Sequence, residues 1–458
     1  MTRAPDKALD VALRLQAALG EPPPVAAAAD QPVHTLYWPA DRFDVDTVAN
    51  AGAEALKLFD SFAATPEVLW EIVGGRGGAA SPGIAQLDAR RFASDPGRMK
   101  HESFDAWLSH ALHRRTRQRL ESQAVEDLRI DFEDGYGNRD DSVEDAHADR
   151  AGEAVAKAVA AQRMCPRVGI RIKALTPELV GRATRTLDRF AARLADAGRW
   201  PETMVVTLPK VMHAEQTRIG LELLAAVEAR HQRPAGSIRL EVMVETTESL
   251  IAADGRSPLP GIVDAGVPRL LGVHLGVYDF TASLRLAPRH QAPDHVFCDL
   301  ARGLTRLAVG SRVHLSDGAS NVLPVGSAAA VRRAWRIGAA HVTRALSQGY
   351  VQGWDMHPGQ LVTRHAANIA FWLRDHDEVG SRLAALVDTA VAGCGAQTVE
   401  GEVIDEPATG RALLRAVQRA SRVGAIDVAE LRAAGLQPHE VGAPSFTALV
   451  DARRGQHR

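Results

Sequence analysis

The stretch Leu128–Gly137, "LRIDFEDGYG", carries three carboxylates, Asp131, Glu133 and Asp134, out of an apolar run and closes on two glycines. A solvated turn would account for the glycines and for one acid. It does not account for acids that alternate with Ile130 and Phe132, because that alternation is the signature of a strand with a buried face. The stretch is therefore read as a buried strand whose C-terminal end aims acid groups at one place. What that place is depends on how the other strands end.

Seven further apolar runs have the same character: residues 33–40, 167–175, 203–211, 238–249, 269–280, 311–326 and 349–361. Amphipathic helical patterns fill most of the gaps, over 145–162, 178–197, 215–231 and 327–348. Strand alternating with helix implies a parallel sheet with right-handed crossovers, and eight strands close a (β/α)₈ TIM barrel. A doubly wound open sheet is the alternative, but no GxGxxG follows the first strand. The expected fold class is thus α/β, a barrel over residues 33–365. Residues 1–32 are expected to form an amphipathic helix and a Pro/Ala linker. A helical insert over about 41–124 is too long for one crossover, and 366–458 reads as a helical C-terminal extension. Within the insert, "GGRGG" (74–78) lacks the Lys-Ser/Thr of a phosphate loop and reads as a surface loop. "HRRTRQR" (113–119) reads as the solvated face of a helix.

Bulk properties exclude several function classes. The 458 residues carry a formal net charge of -2, which favours neither nucleic acid nor an anionic membrane. No apolar run reaches the roughly 18 residues of a membrane span. The three cysteines, Cys165, Cys298 and Cys394, form no CxxC pair, which argues against a zinc site or disulfide framework and fits a reducing cytoplasm. The N-terminus lacks the pattern of a signal peptide. The expectation is a soluble, cytoplasmic protein with no nucleic-acid or membrane partner.

Barrel enzymes place their chemistry at the C-terminal ends of the strands. Strand two ends in Asp131, Glu133 and Asp134, strand three in Arg171 and Lys173, strand four in Lys210. Strand five ends in Glu245, strand six in Asp279, and strand eight in Asp355 and His357. Carboxylates on adjacent strands with oxygen ligands only outline a hard-cation site of the Mg²⁺ type. Each residue also has a bland reading: Glu245 and Asp279 could serve helix caps, Arg171 and Lys210 could be ion-pair partners, and His357 could be a structural hydrogen-bonding group. Their common location at strand ends favours the joint, functional reading.

The ordered set "IDFEDGYG", "GIRIKAL", "LPKV", "MVETTESL", "GVYDFTASL" and "WDMHPGQL" resembles the HpcH/HpaI aldolase and citrate lyase beta-subunit family over about residues 33–365. The resemblance implies a TIM barrel with a bound divalent metal, Mg²⁺ (or Mn²⁺), in which Glu245 and Asp279 are the direct ligands. It implies that Arg171 faces the substrate carboxylate or carbonyl, and that Asp131, Glu133 and Asp134 hold metal-bound waters and orient the arginine. Lys210 and His357 are expected on the substrate side. The implied activity is that of a carbon–carbon lyase or aldolase that forms a metal-bound enolate. Its substrate would be a small oxo or hydroxy acid, or the CoA thioester of one. Alternatives are phosphoenolpyruvate-type phosphoryl or carboxyl chemistry, or a barrel that only binds a metabolite. Family members of this kind form trimers or hexamers, so a homo-oligomer is expected. Tyr278 stands where many lyase relatives carry an acid, and Lys173 where thioester enzymes often carry Asn.

Overall fold

Eight short runs with almost wholly buried side chains form the parallel strands of a closed barrel in the order β1-β2-β3-β4-β5-β6-β7-β8. They are β1 (His34–Pro39), β2 (Asp127–Asp131), β3 (Arg167–Arg171), β4 (Thr203–Leu208), β5 (Ile238–Val244), β6 (Leu270–Leu275), β7 (His314–Asp317) and β8 (Gln352–Asp355). Seven fall within the expected runs, β2 begins one residue before its run, and β1 closes the barrel by pairing with β8. The computed structural model describes residues 31–74, 82–393, 397–399 and 403–456. The expected N-terminal helix and linker, most of the "GGRGG" loop and Cys394 lie outside the described residues. Cys165 and Cys298 are buried and free. No helix among the described residues is long and apolar enough to cross a membrane.

Register decides which residues meet at the barrel mouth. Asp131 of β2 pairs in register with Arg171 of β3, and Val244 of β5 with Leu275 of β6. The chain that leaves β5 at Glu245 therefore stands beside the chain that leaves β6 at Gly276. The crossover helices are long and amphipathic where the sequence periodicity placed them, at Asp141–Ala160, Val180–Asp196, Ala214–Arg230 and Ala328–Ser347.

The insert between β1 and β2 holds the helices Thr47–Phe62, Pro66–Ile72, Pro82–Ser94, Pro96–Glu102 and Phe104–Gln123. Three of them open on proline, whose fixed φ suits a first helical position and whose missing N–H is not needed there. The basic run in the last of these helices is not simply a solvated face. Arg115 is buried and grips both carboxylate oxygens of Glu430 at 2.7 and 2.8 Å, and Arg119 reaches Glu126 at 2.6 Å. These arginines bolt the insert to the barrel's lower rim and to the C-terminal extension. That extension includes His376–Val391 and Pro407–Arg422. We propose the same three-part division at residues 32 and 365, with the helix Pro358–Leu373 spanning the second join.

The barrel axis is polar. Arg129 is fully buried between Asp127 and Glu241, with Nη2 2.7 Å from Glu241 Oε2. His274 Nε2 lies 3.0 Å from the same glutamate, and Trp354 donates its indole N–H to His274 Nδ1 at 2.7 Å. Side chains of β2, β5, β6 and β8 are thus joined around one guanidinium where a barrel interior is usually aliphatic. Removing one member of a buried ion cluster strands the others without solvent. Arg129→Met is expected to lower stability by about 3–5 kcal/mol, as measured by chemical denaturation. A loss below about 1 kcal/mol would show that the cluster is not needed to hold the strands together.

Candidate metal centre and active site

The "DFEDGYG" turn explains how a buried strand can end in acids. Asp131 Oδ1 accepts the amide of Glu133 at 3.0 Å, and its Oδ2 accepts the amide of Gly135 at 2.8 Å. Gly135 has to be glycine, since a Cβ there would come within 2.6 Å of Asp131 Oδ2. Across the strand, Arg171 closes on Asp131 with Nε and Nη2, each at 2.7 Å. The result is a bidentate, charge-assisted pair. Burial works against the charged guanidinium, but Asp131 holds its pKa well above the ordinary value.

This geometry changes the expected role of Arg171. Its Nε and Nη2 are taken up by Asp131, and Nη1, which also donates to Met243 Sδ at 3.8 Å, is the nitrogen that faces the cavity. Nη1 sits 3.3 Å from Glu133 and 4.0 Å from Asp134. The guanidinium lies against a stacked aromatic pair, 5.0 Å from Tyr37 and 5.7 Å from Trp354, which together with Asp131 holds its orientation.

Beside it, carboxylate oxygens of Asp134, Glu245 and Asp279 all lie within 4.8 Å of one another. Glu245 is buried and accepts the backbone N–H of Lys210 at 2.6 Å. A side chain at Gly276 would come within 2.8 Å of Glu245 Oε2, so β6 must leave the barrel on a glycine. Burial pushes the Glu245 carboxyl up to about 8, against the pull of Lys210 and Arg171. Glu133 is likewise raised by burial, whereas the Glu133 hydrogen bond and Lys210 outweigh burial at Asp134 and lower it. Five carboxylates thus face only two cationic side chains, Arg171 and Lys210. Clustered oxygen donors with a surplus of negative charge suit a hard divalent cation such as Mg²⁺ or Mn²⁺.

The remaining expected residues divide. Lys210, in a left-handed conformation at φ 54, sends its ammonium back into the acids rather than out toward a ligand. His357 lines the same cavity, and its Nδ1 accepts the amide of Gly359 at 3.0 Å as the cap of the following helix. Asp355 turns away from the mouth and is paired with Arg364 at 3.0 and 3.1 Å. Lys173 is buried under the acid turn, donating to the carbonyls of Phe132 and Gly137 at 3.0 and 3.2 Å, with Glu144 at 3.3 Å. It is a brace for the turn and not a pocket residue.

The cavity has a volume of about 720 Å³. Tyr37, Trp38, Tyr278, Trp354 and Met356 supply much of its wall, and Asn50 and Glu54 of the insert supply one side. Attention to charged strand ends passes over these walls, although Tyr37 and Trp38 are themselves the end of the first strand. The Tyr278 hydroxyl accepts the amide of Asn321 at 2.6 Å, which ties the end of β6 to the loop after β7.

A second group, His34, Glu126 and His365, also brings possible ligand atoms within 4.8 Å. It does not suit a metal. His34 Nε2 accepts the amide of Glu126 at 3.1 Å, which places its proton on Nδ1. His365 Nε2 faces the carbonyl of Ala124 at 2.8 Å, which places its proton there, and both Glu126 oxygens already accept, from Arg119 and from the amide of Val33.

The family model described as "Domain of unknown function (DUF6986)" matches residues 14–449. The chain belongs to that family. No curated protein matches it. Among solved structures, Haloferax volcanii malate synthase, native at 3 mM glyoxylate, is 18% identical with a TM-score of 0.42, covering 52% of this chain and 64% of that one. Its magnesium/glyoxylate complex is 19% identical with a TM-score of 0.41, covering 52% and 65%. The chain therefore spans slightly under two thirds of these two structures. The pyruvate/acetyl-CoA ternary complex is 18% identical with a TM-score of 0.41, covering 64% and 80%. Likeness of this size says nothing about this chain's substrate.

Glu245→Gln and Asp279→Asn should each abolish most Mn²⁺ binding in calorimetry while leaving the circular dichroism spectrum unchanged. In the metal-free protein Glu245 keeps its proton below about pH 8, and an entering cation must displace it. Affinity should therefore fall about tenfold per pH unit below pH 8 and level off above it. Affinity that is flat between pH 6 and 8 would exclude Glu245 as a ligand.

Proposed function

We propose that this chain is a divalent-metal-dependent enzyme that makes or breaks a carbon–carbon bond next to a carbonyl, in the manner of the HpcH/HpaI aldolase and citrate lyase beta-subunit family. The observation that carries the reading is the meeting of Asp134, Glu245 and Asp279 with the fixed Arg171 guanidinium in one cavity. Glu245 and Asp279 would hold Mg²⁺ or Mn²⁺, which when bound supplies positive charge to a substrate carbonyl oxygen as it turns into an enolate. Arg171 Nη1 would donate to the substrate's carboxylate or carbonyl, held in place by Asp131 and the two rings. Of the strand-two acids, Asp131 is occupied by Arg171 and Glu133 is engaged by Lys210 and Arg171. Asp134 also meets Lys210, at 3.2 Å from both oxygens, but of the three it is the one that turns a half-exposed carboxylate toward the cavity. It is the residue we assign to take the proton from the hydroxyl next to the cleaved bond.

The substrate class is a small oxo or hydroxy acid, free or as its CoA thioester. Pyruvate, oxaloacetate, glyoxylate and acetyl-CoA should be screened by thermal shift, each with and without Mg²⁺. A shift that needs both Mg²⁺ and one of these ligands is the expected result. No shift with any pair would remove the support for this substrate class. Once a substrate is found, Arg171→Lys should cut turnover at least about tenfold and leave metal affinity unchanged. Lysine can keep neither the two-point grip on Asp131 nor a fixed N–H toward the ligand. Equal turnover would overturn the role given to Arg171.

We also propose a homo-oligomer, trimer or hexamer, to be checked by light scattering at micromolar concentration, where a monomer would count against it. Among the described residues of the C-terminal extension only Val428 is an exposed large hydrophobic. The long exposed apolar row lies instead on the helix Val296–Val309, at Val296, Phe297, Leu300 and Leu307.

A further inference from the structure

We propose that the Lys210 ammonium is a built-in competitor for the divalent cation, one that occupies the acid cluster of the metal-free protein and sets how tightly the metal binds. The inference rests on the metal reading above and goes beyond it.

Lys210 Nζ hydrogen-bonds Glu133, lies 3.2 Å from both carboxylate oxygens of Asp134, and is 3.8 Å from Asp279 Oδ2. Two members of the three-carboxylate group are therefore already turned toward one positive charge. The third, Glu245, accepts the backbone N–H of the same residue at 2.6 Å. Lys210 holds this position with a left-handed backbone, φ 54, which costs energy for a residue with a Cβ. Directly after Pro209 the chain bends so that backbone and side chain both point into the cluster. A lysine recruited merely to neutralise surface acids would not need that conformation.

An ammonium and a divalent ion cannot share these oxygens, because like charges at such distances repel strongly once solvent is thinned out. One must leave. Lys210 can leave, since its side chain is 32% exposed and its four-carbon stem is flexible. The acids reach the cluster on shorter stems, from the turn that follows β2, the residue that follows β5 and the helix Val277–Ser283, and have less room to withdraw. Metal entry therefore displaces the ammonium, and the measured affinity is the metal's own affinity reduced by the contacts Lys210 gives up.

Calorimetry with Mn²⁺ on the full chain tests this directly. Lys210→Met keeps a Cβ and the length of the stem but removes the charge, and Lys210→Gln is a second variant should the first fold poorly. Either is expected to bind Mn²⁺ at least tenfold more tightly than the native protein. Lys210→Arg, which keeps the charge, should show no gain. Without metal the neutral variants should melt at lower temperature than the native chain, and Mn²⁺ should raise their midpoints by more. Equal or weaker binding by Lys210→Met and Lys210→Gln, with the native protein binding normally, would overturn the inference and leave the metal reading standing. No binding by any of the proteins would overturn both.

Discussion

Crowding of like charge at one end of the barrel is the constraint around which the rest is arranged. Five carboxylates arrive there from β2, β5 and β6, and each would be costly if left bare and half-desolvated. Almost every unusual feature nearby answers that cost. Asp131 takes two backbone amides and an arginine fork. Lys210 adopts a backbone conformation that residues with side chains avoid. Gly135 and Gly276 leave no Cβ where a carboxylate must stand. Lys173, out of sight of the cavity, fastens the acid-bearing turn to Glu144.

Much of this was legible from the order of residues alone. Eight apolar runs separated by helical patterns forecast eight strands, because buried parallel strands need continuous apolar runs and their crossovers need amphipathic helices. Strand ends then forecast which charged residues share a face. Direction was not legible. Strand ends say that Arg171, Lys173, Lys210 and Asp355 are near the mouth, but not which way each side chain turns. The partner decides that: Arg364 pulls Asp355 outward, and two loop carbonyls draw Lys173 beneath the turn. Lys210 turns inward because three acids outbid solvent. Likewise Arg115 sits in a run of basic residues that looks like a solvated face, and only the distant Glu430 shows why it is buried.

The polar axis has a related lesson. Arg129, Asp127, Glu241 and His274 sit among apolar neighbours in their strands, and nothing local distinguishes them from surface-facing positions of an alternating strand. Their meaning appears only when β2, β5 and β6 are brought around a common centre. Trp354 then links that centre to the cavity, since its indole N–H is held by His274 while its ring stacks on Tyr37, with centroids 4.4 Å apart. Arg171 is thereby steadied from below as well as from the side.

One wall of the cavity comes from outside the barrel. Asn50 and Glu54 belong to the helix Thr47–Phe62, whereas the acid cluster and Arg171 belong to strands and the turns that leave them. The two parts of the pocket can thus change at different rates over evolutionary time. Substitutions in the insert can reshape that wall without disturbing the acid cluster. Substitutions at the strand ends would disturb both at once.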